Sequence, residues 1–206
     1  MIKATKQATT NYEPAPEGTH VARCVALVDL GTQINSFTEK EQYKIRLSFE
    51  TPNETKVFRE ENGEQPFMLS KEYTLSLHEK SSLRPVVQAL MERKVTEQEE
   101  RDGFDLSQLL GKPCMITVEH YQSGDKIYAN ISAVAPLMKG IDCPAQITES
   151  LIFDISSWDE EKFNNMPEWL REKILKSPEA QEASTNSIVG EQISEDDISL
   201  INALKK

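Results

Sequence analysis

Residues 43–49, YKIRLSF, decide the fold class of this 206-residue chain. Tyr, Ile, Leu and Phe alternate there with Lys44, Arg46 and Ser48, and a period of two is that of a half-buried β-strand. The stretch therefore predicts a strand with one face in a core and a basic face opposite to it.

Four further segments carry strand patterns. Residues 19–30, THVARCVALVDL, are rich in β-branched and apolar residues, and residues 66–77, PFMLSKEYTLSL, resume an extended pattern after a turn-rich connection. KPCMITVEH at 112–120 and KIYANISAVAPL at 126–137 flank a Ser-Gly-Asp turn, which indicates a hairpin. Between the third and fourth strands, residues 81–94, SSLRPVVQALMERK, have apolar residues at helical spacing.

This order of elements predicts the fold class. A β-β-β-α-β-β order is typical of the oligonucleotide/oligosaccharide-binding (OB) fold, a five-stranded Greek-key barrel with its helix between the third and fourth strands. We therefore predict a mainly β, OB-fold-like barrel over residues 18–140. A flexible N-terminal arm at 1–17, a helical extension packing on the barrel at 141–176 and a disordered acidic tail at 177–206 complete the expected organisation.

The net charge of −11 is unevenly distributed. Residues 141–206 carry six Lys/Arg against fourteen Asp/Glu, a net charge of −8, which leaves −3 for residues 1–140. A nearly neutral barrel can present a basic face to a nucleic acid. The chain has no run of about 18 apolar residues and no apolar stretch of signal-peptide type at its start, so we expect a cytoplasmic protein without membrane partners.

The sequence contains no recognisable catalytic signature. The histidines are isolated from one another: His20, His78 and His120. The cysteines have no metal-ligand spacing, and two of them fall in apolar strands where buried structural thiols are expected: Cys24, Cys114 and Cys143. Acidic runs such as EQEERD are typical of solvated helix faces. We expect no enzyme, metal or cofactor, with metal-dependent nuclease chemistry left open.

The predicted fold indicates where a ligand binds. In OB folds, strands 2 and 3 with the loops joining strands 1 to 2 and 4 to 5 form the ligand face. Basic groups there neutralise phosphates and aromatic rings stack on unpaired bases. The candidate DNA-binding residues are Lys40, Lys44, Arg46, Lys71, Tyr73, Tyr121, Lys126 and Tyr128. The alternative is that the basic residues are solubilising and the tyrosines pack in the sheet.

Several segments also resemble a known family. They are APEGTHVARCVALVDLGTQ (15–33), KEYTLSLHEKSSLR (71–84), LLGKPCMITVEH (109–120), YANISAVAPL (128–137) and MPEWLREKILKSPE (166–179). Over roughly residues 13–180 the chain resembles small bacteriophage proteins found among replication and recombination genes, which look like OB-fold single-stranded DNA-binding proteins. The resemblance implies a protein that coats unpaired DNA in the cytoplasm of an infected bacterial host.

The resemblance also concerns the end of the chain. Many single-stranded DNA-binding proteins end in an acidic tail with an apolar tip that recruits replication or recombination proteins. Residues 194–206, SEDDISLINALKK, are similar, and they supply a candidate partner-binding tail: Glu195, Asp196, Asp197, Ile198 and Leu200. The chain departs from this pattern by ending in two lysines, so a solubilising tail is the alternative.

The leading hypothesis is a non-catalytic, sequence-tolerant single-stranded DNA-binding protein of phage replication or recombination. A second hypothesis is a protein-interaction module, in which the barrel and the helix around Trp169 recruit replication or host factors and DNA binding is incidental. The sequence leaves open whether DNA or RNA is preferred and whether residues 51–65 form a flap over the groove.

Overall fold

A computed structural model describes residues 13–35 and 38–192, with side chains up to residue 185. Within these ranges six β-strands and five α-helices follow one another, with short 3-10 turns between some of them. The elements are β1 Gly18–Ile34, β2 Glu41–Val57, β3 Glu64–Thr74, α1 Leu83–Met91, α2 Glu97–Asp102, β4 Pro113–Ser123, β5 Lys126–Pro136, β6 Leu151–Phe153, α3 Glu160–Asn164, α4 Glu168–Ile174 and α5 Pro178–Gln192. No helix in the described part of the chain has the length and apolar character to cross a membrane.

The strands form one mainly antiparallel sheet in the order β3-β2-β1-β4-β5, and β6 adds to β1 in parallel. The prediction of a mainly β protein is confirmed. The predicted barrel is not confirmed, because the sheet is open with β3 and β5 at its edges. The predicted β-β-β-α-β-β order is not supported either: α1 and α2 both separate β3 from β4, and β6 follows β5.

Local features explain the two extra elements. The charged run EQEERD forms α2 because Thr96 and Glu99 make a reciprocal capping box at its start. Strand β6 is only three residues long and pairs with Ala26–Val28 of β1, so its pattern is too short to be recognised in the sequence.

The main core lies on one face of the sheet, named here the inner face. Alternation over residues 43–49 is confirmed there, since Ile45, Leu47 and Phe49 are buried. Helix α1 packs its apolar residues into the same core, and β4 and β5 contribute Ile116 and Ile131. Burial of this continuous apolar surface stabilises the sheet and fixes which face each strand residue occupies.

A second core lies on the opposite, outer face. Val28 and Leu30 of β1 pack there against side chains of the C-terminal extension, among them Phe153, Leu170 and Ile174. The extension therefore covers the outer face of the sheet where β1 passes.

Two charged side chains, one buried and one half-buried, attach the segment between β5 and β6 to the sheet. Glu50 of β2 is fully buried, and its carboxylate accepts hydrogen bonds from the backbone N–H groups of Ile147 (2.9 Å) and Thr148 (2.8 Å). Arg23 of β1 donates to the carbonyl oxygen of Pro144 at 2.7 Å. Hydrogen bonds to charged groups are the stronger ones, so these contacts hold an otherwise irregular segment in place.

Helix α5 occupies residues that the sequence analysis placed in a disordered tail. The buried hydroxyl of Ser177 accepts from Ala180 N, and the Glu179 carboxylate accepts from both N (3.0 Å) and Oγ1 (2.5 Å) of Thr32. The Ser177 bond caps the start of α5, and the Glu179 bonds dock the helix on β1, although the helix has no apolar stripe that would indicate this packing in the sequence. Residues 193–206 lie outside the described residues.

The described part of the N-terminal arm is also attached. Ala15 is buried in the main core, and Nε2 of His120 lies 2.8 Å from the Ala15 carbonyl oxygen. Nε2 of His20 contacts the Pro16 carbonyl in the same way at 2.9 Å. Because a carbonyl only accepts hydrogen bonds, each Nε2 is the donor. Ala15 and Pro16 thus contact β4 and β1, while residues 1–12 of the predicted flexible arm lie outside the described residues.

Candidate nucleic-acid interface

The structure separates the predicted binding residues of β2 and β3. The strand register sets Lys71 opposite Leu47 and Tyr73 opposite Ile45, which puts Lys71 and Tyr73 on the inner face. Lys44 and Arg46 alternate with the buried residues of β2 and lie on the outer face. The single basic and aromatic face expected on these two strands is therefore not formed.

Arg46 contacts the C-terminal extension. Its guanidinium carbon lies 4.8 Å from the centre of the Trp169 ring, and its Nη1 lies 3.9 Å from Glu72. Glu72 in turn accepts from Lys173 Nζ at 2.6 and 2.7 Å. Burial lowers the pKa of Arg46. Because Arg46 joins β2 to α4 through these contacts, its position indicates a packing role.

Tyr73 and Lys71 are also engaged within the sheet. Tyr73 is buried in the main core, and that burial raises its pKa, so its ring is not open to a base. Lys71 donates from Nζ to the carbonyl oxygen of Ile131 at 2.6 Å, across the gap between β3 and β5. Lys40 lies exposed in the loop between β1 and β2.

The β4–β5 hairpin brings the remaining three candidates together. Tyr121 and Tyr128 are directly opposite in the register, and their rings stack with centroids 5.4 Å apart and 21° between planes. Tyr121 is 53% exposed, and the exposed Lys126 begins β5 next to the turn. Both rings lie on the face of the hairpin away from Val118 and Ile131, which belong to the main core. This arrangement combines an accessible aromatic platform with a nearby cation.

The β2–β3 hairpin carries an aromatic residue that sequence reasoning missed. Phe58, directly after β2, is 47% exposed and packs edge-on against Phe67 with ring centroids 5.1 Å apart. The signal in the sequence is KVFR at 56–59, an aromatic residue between two basic ones. Residues 51–65 are a hairpin extension with a register shift between Thr51 and Thr55.

A cavity of about 390 Å³ lies beside Phe58. The N-terminal arm contributes Glu13 and Ala15, the β2–β3 hairpin contributes Gln65 and Phe67, and β5 contributes Ala129. The cavity thus lies where the two edge strands of the open sheet face each other.

The histidines and two of the cysteines, residue types that often act in catalysis, have structural roles in this fold. In addition to the arm contacts of His20 and His120, Nδ1 of His78 accepts from the Lys80 N–H. Burial raises the pKa of Cys24 to about 12 and raises that of Cys114. Within residues 13–35 and 38–192, no group of three or more His, Cys, Asp or Glu side chains is arranged to hold a metal ion.

The predicted partner-binding tail cannot be placed, since Glu195, Asp196, Asp197, Ile198 and Leu200 lie outside the described residues. Comparisons with known proteins add no assignment. No family model matches the chain, and no curated protein matches it.

Proposed function

We propose that the protein binds single-stranded nucleic acid, DNA in the first instance, without catalysing a reaction. The observation that carries the proposal is the stacked pair of the exposed Tyr121 and the half-buried Tyr128 beside Lys126. Aromatic rings and cations at one place match an unpaired strand, which presents base faces and phosphates together.

The energetics of stacking support this use of the pair. A base stacked on an aromatic side chain contributes about 1–3 kcal/mol, and the interaction tolerates any base because each has a π-face. Tyr128 orders the Tyr121 ring before a ligand arrives, which lowers the conformational entropy lost on binding. Sequence-tolerant binding follows, because stacking reads no base edge.

The sheet order supports an OB-type arrangement. We propose that β1–β5 form a partly open barrel whose unpaired edges, β3 and β5, approach each other where Lys71 bridges to Ile131. In OB folds, which are partly open barrels, the connection between strands 4 and 5 is one of the parts that bind oligonucleotides. The β4–β5 hairpin is the part of this chain that presents the aromatic pair.

Binding should depend on salt, because a cation that neutralises a phosphate releases counterions. Fluorescence anisotropy with labelled oligothymidine and with a duplex of equal length, at rising salt concentrations, tests the proposal. We expect tighter binding to the single strand and falling affinity as salt rises. Equal or tighter binding to the duplex, or no binding to oligothymidine at low salt, contradicts the proposal.

The role of Lys126 has a matched control. Lys126→Ala should weaken binding and reduce the slope of log affinity against log salt by about 1. Lys176→Ala removes another exposed lysine, at the end of α4 and away from the hairpin, and should leave the slope unchanged. If the two variants show equal salt-dependence slopes, Lys126 does not contact a phosphate.

One observation favours the second candidate, a protein-interaction module. Trp169 on α4 is 51% exposed and lines a cavity of about 410 Å³, together with apolar residues such as Met166 and Leu170. This candidate predicts that Trp169→Ala abolishes activity in a host complementation assay while Lys126→Glu leaves it intact. The reverse result supports nucleic-acid binding.

A further inference from the structure

Phe58 is a large apolar side chain that stays 47% exposed to solvent. It follows β2 directly, and about half of the side chain stays exposed beside its T-shaped contact with Phe67, with 83° between the ring planes. An exposed phenyl ring of this kind gains free energy when another flat group covers it. The feature indicates a stacking position on the β2–β3 hairpin, separate from the tyrosine pair.

The cavity beside Phe58 has the size of a small-ligand site. Its volume of about 390 Å³ falls in the range of about 300–1,000 Å³ that such sites occupy. Phe67, Leu69 and Ala129 give it apolar walls, and Gln65 lies at the rim. The combination suits a flat, mostly apolar group with one polar edge.

The charges around the cavity argue against a phosphate inside it. Glu13 forms an ion pair with Lys56, and Arg46 is shared between Glu72 and Trp169. The charged groups that line the cavity are therefore already paired, and they leave no cation there to hold an anion.

The Gln65 side chain supplies the polar group. It makes no hydrogen bond to the described part of the chain, so its amide N–H₂ and C=O are free to pair with a ligand. An amide that offers a donor and an acceptor matches the edge of a nucleobase.

We infer that this cavity holds one unstacked base of a bound single strand, with its face on Phe58 and its edge at Gln65. Arg59 next to Phe58 is exposed, and because its pair with the exposed Glu61 is loose, at 3.9 Å, its guanidinium can exchange this partner for a flanking phosphate. The inference rests on the proposed function and deepens it, because it assigns a second contact site on the other hairpin.

The test uses the full chain with labelled oligothymidine and with an abasic strand of equal length. Phe58→Ala should lower affinity for oligothymidine by about fivefold or more. Phe58→Tyr keeps a ring, and Ile34→Ala removes an exposed apolar side chain at the end of β1; both should stay within about twofold of the wild type. On the abasic strand, Phe58→Ala and the wild type should bind equally.

Three results overturn the inference, and the third also overturns the proposed function. Phe58→Ala binding oligothymidine like the wild type, while Tyr121→Ala binds weakly, refutes the base pocket and leaves the proposed function standing. An equal loss of affinity by Phe58→Ala on both strands shows that the ring does not act on a base. A wild-type chain that binds neither strand contradicts the proposed function and, with it, the inference.

A second variant covers the case in which Phe58→Ala unfolds. Gln65 is exposed, so Gln65→Ala should fold normally, as circular dichroism can verify. Its affinity for oligothymidine should fall at least twofold, with no change on the abasic strand. Unchanged affinity for oligothymidine counts against a base edge at this position.

Discussion

The guanidinium of Arg46 lies 4.8 Å from the centre of the Trp169 ring, which joins the basic face of β2 to helix α4. The arginine of the strand with the clearest sequence pattern therefore contacts the protein's own C-terminal extension. Because this contact engages Arg46 within the protein, we propose the β4–β5 hairpin, and not β2, as the main nucleic-acid interface.

Arg46→Ala should lower the free energy of unfolding by about 1 kcal/mol, through loss of the cation–π contact. Affinity for oligothymidine should stay within about twofold of the wild type, because Arg46, although it lines the cavity beside Phe58, is engaged by Glu72 and Trp169. Lys44→Ala, on the same face of β2, serves as the control and should change stability by less than about 0.5 kcal/mol. Urea denaturation and anisotropy measure both quantities. A tenfold loss of affinity by Arg46→Ala at unchanged stability would show that Arg46 of β2 contacts the nucleic acid.

The strand alternation and the hairpin could be predicted from the sequence because both are local. Ile45, Leu47 and Phe49 share a face by their spacing alone. The Ser-Gly-Asp turn likewise sets Tyr121 opposite Tyr128, so their pairing follows from distance to the turn.

The features that could not be predicted from the sequence depend on packing between residues that are far apart in the chain. Trp169 covers Arg46 although the two residues are more than a hundred positions apart in the sequence. No residue near YKIRLSF indicates this contact. Helix α5 docks through Glu179 on Thr32, a polar contact without periodicity. Tyr73 differs from these cases: it shares its alternation with Phe67 and Leu69, so the pattern itself indicated a core position.

Gly31 should be required where α5 meets β1. It has φ of +63°, and a Cβ there would lie 2.4 Å from the Ser177 hydroxyl oxygen. Gly31→Ala therefore combines backbone strain with a clash. Gly124→Ala is the matched control, since Gly124 has φ of +61° and open space around it.

Urea denaturation should show a loss of about 1–2 kcal/mol for Gly124→Ala, from backbone strain alone, and a larger loss for Gly31→Ala. Hydrogen exchange should also increase in residues 178–185 of the Gly31 variant only. Equal losses in the two variants would mean that the contact with Ser177 contributes nothing.

Glu50 should be a strong stabilising residue. Its buried carboxylate accepts two backbone hydrogen bonds, each worth roughly 1.5–3 kcal/mol for a charged acceptor. Glu50→Ala should lower the free energy of unfolding by about 3 kcal/mol or more, and Glu50→Gln by less. The exposed Glu149 lies in the attached segment, and Glu149→Ala should change stability little. A loss below about 0.5 kcal/mol for Glu50→Ala would be inconsistent with this anchor.

Glu99 should titrate far below an ordinary glutamate. The hydrogen bond from Arg93, with further ones from Thr96, lowers its pKa from 4.5 to about 2. Since the folded-state pKa is the lower one, the ionised form stabilises the fold above about pH 4.5. That contribution disappears as pH falls from 4.5 toward 2.

Carbon-detected NMR of the Glu99 carboxyl group measures this midpoint directly. In Arg93→Ala the midpoint should move up toward the ordinary value. A wild-type midpoint near 4.5, or one that Arg93→Ala leaves unchanged, would show that the pair does not form in solution.

The most direct test of single-strand binding by the tyrosine pair is oligothymidine anisotropy with Tyr121→Ala and Tyr121→Phe. Stacking worth 1–3 kcal/mol predicts that Tyr121→Ala loses between about fivefold and 150-fold in affinity, while Tyr121→Phe keeps the ring and binds like the wild type. A Tyr121→Ala variant that folds and binds oligothymidine as tightly as the wild type would contradict the account.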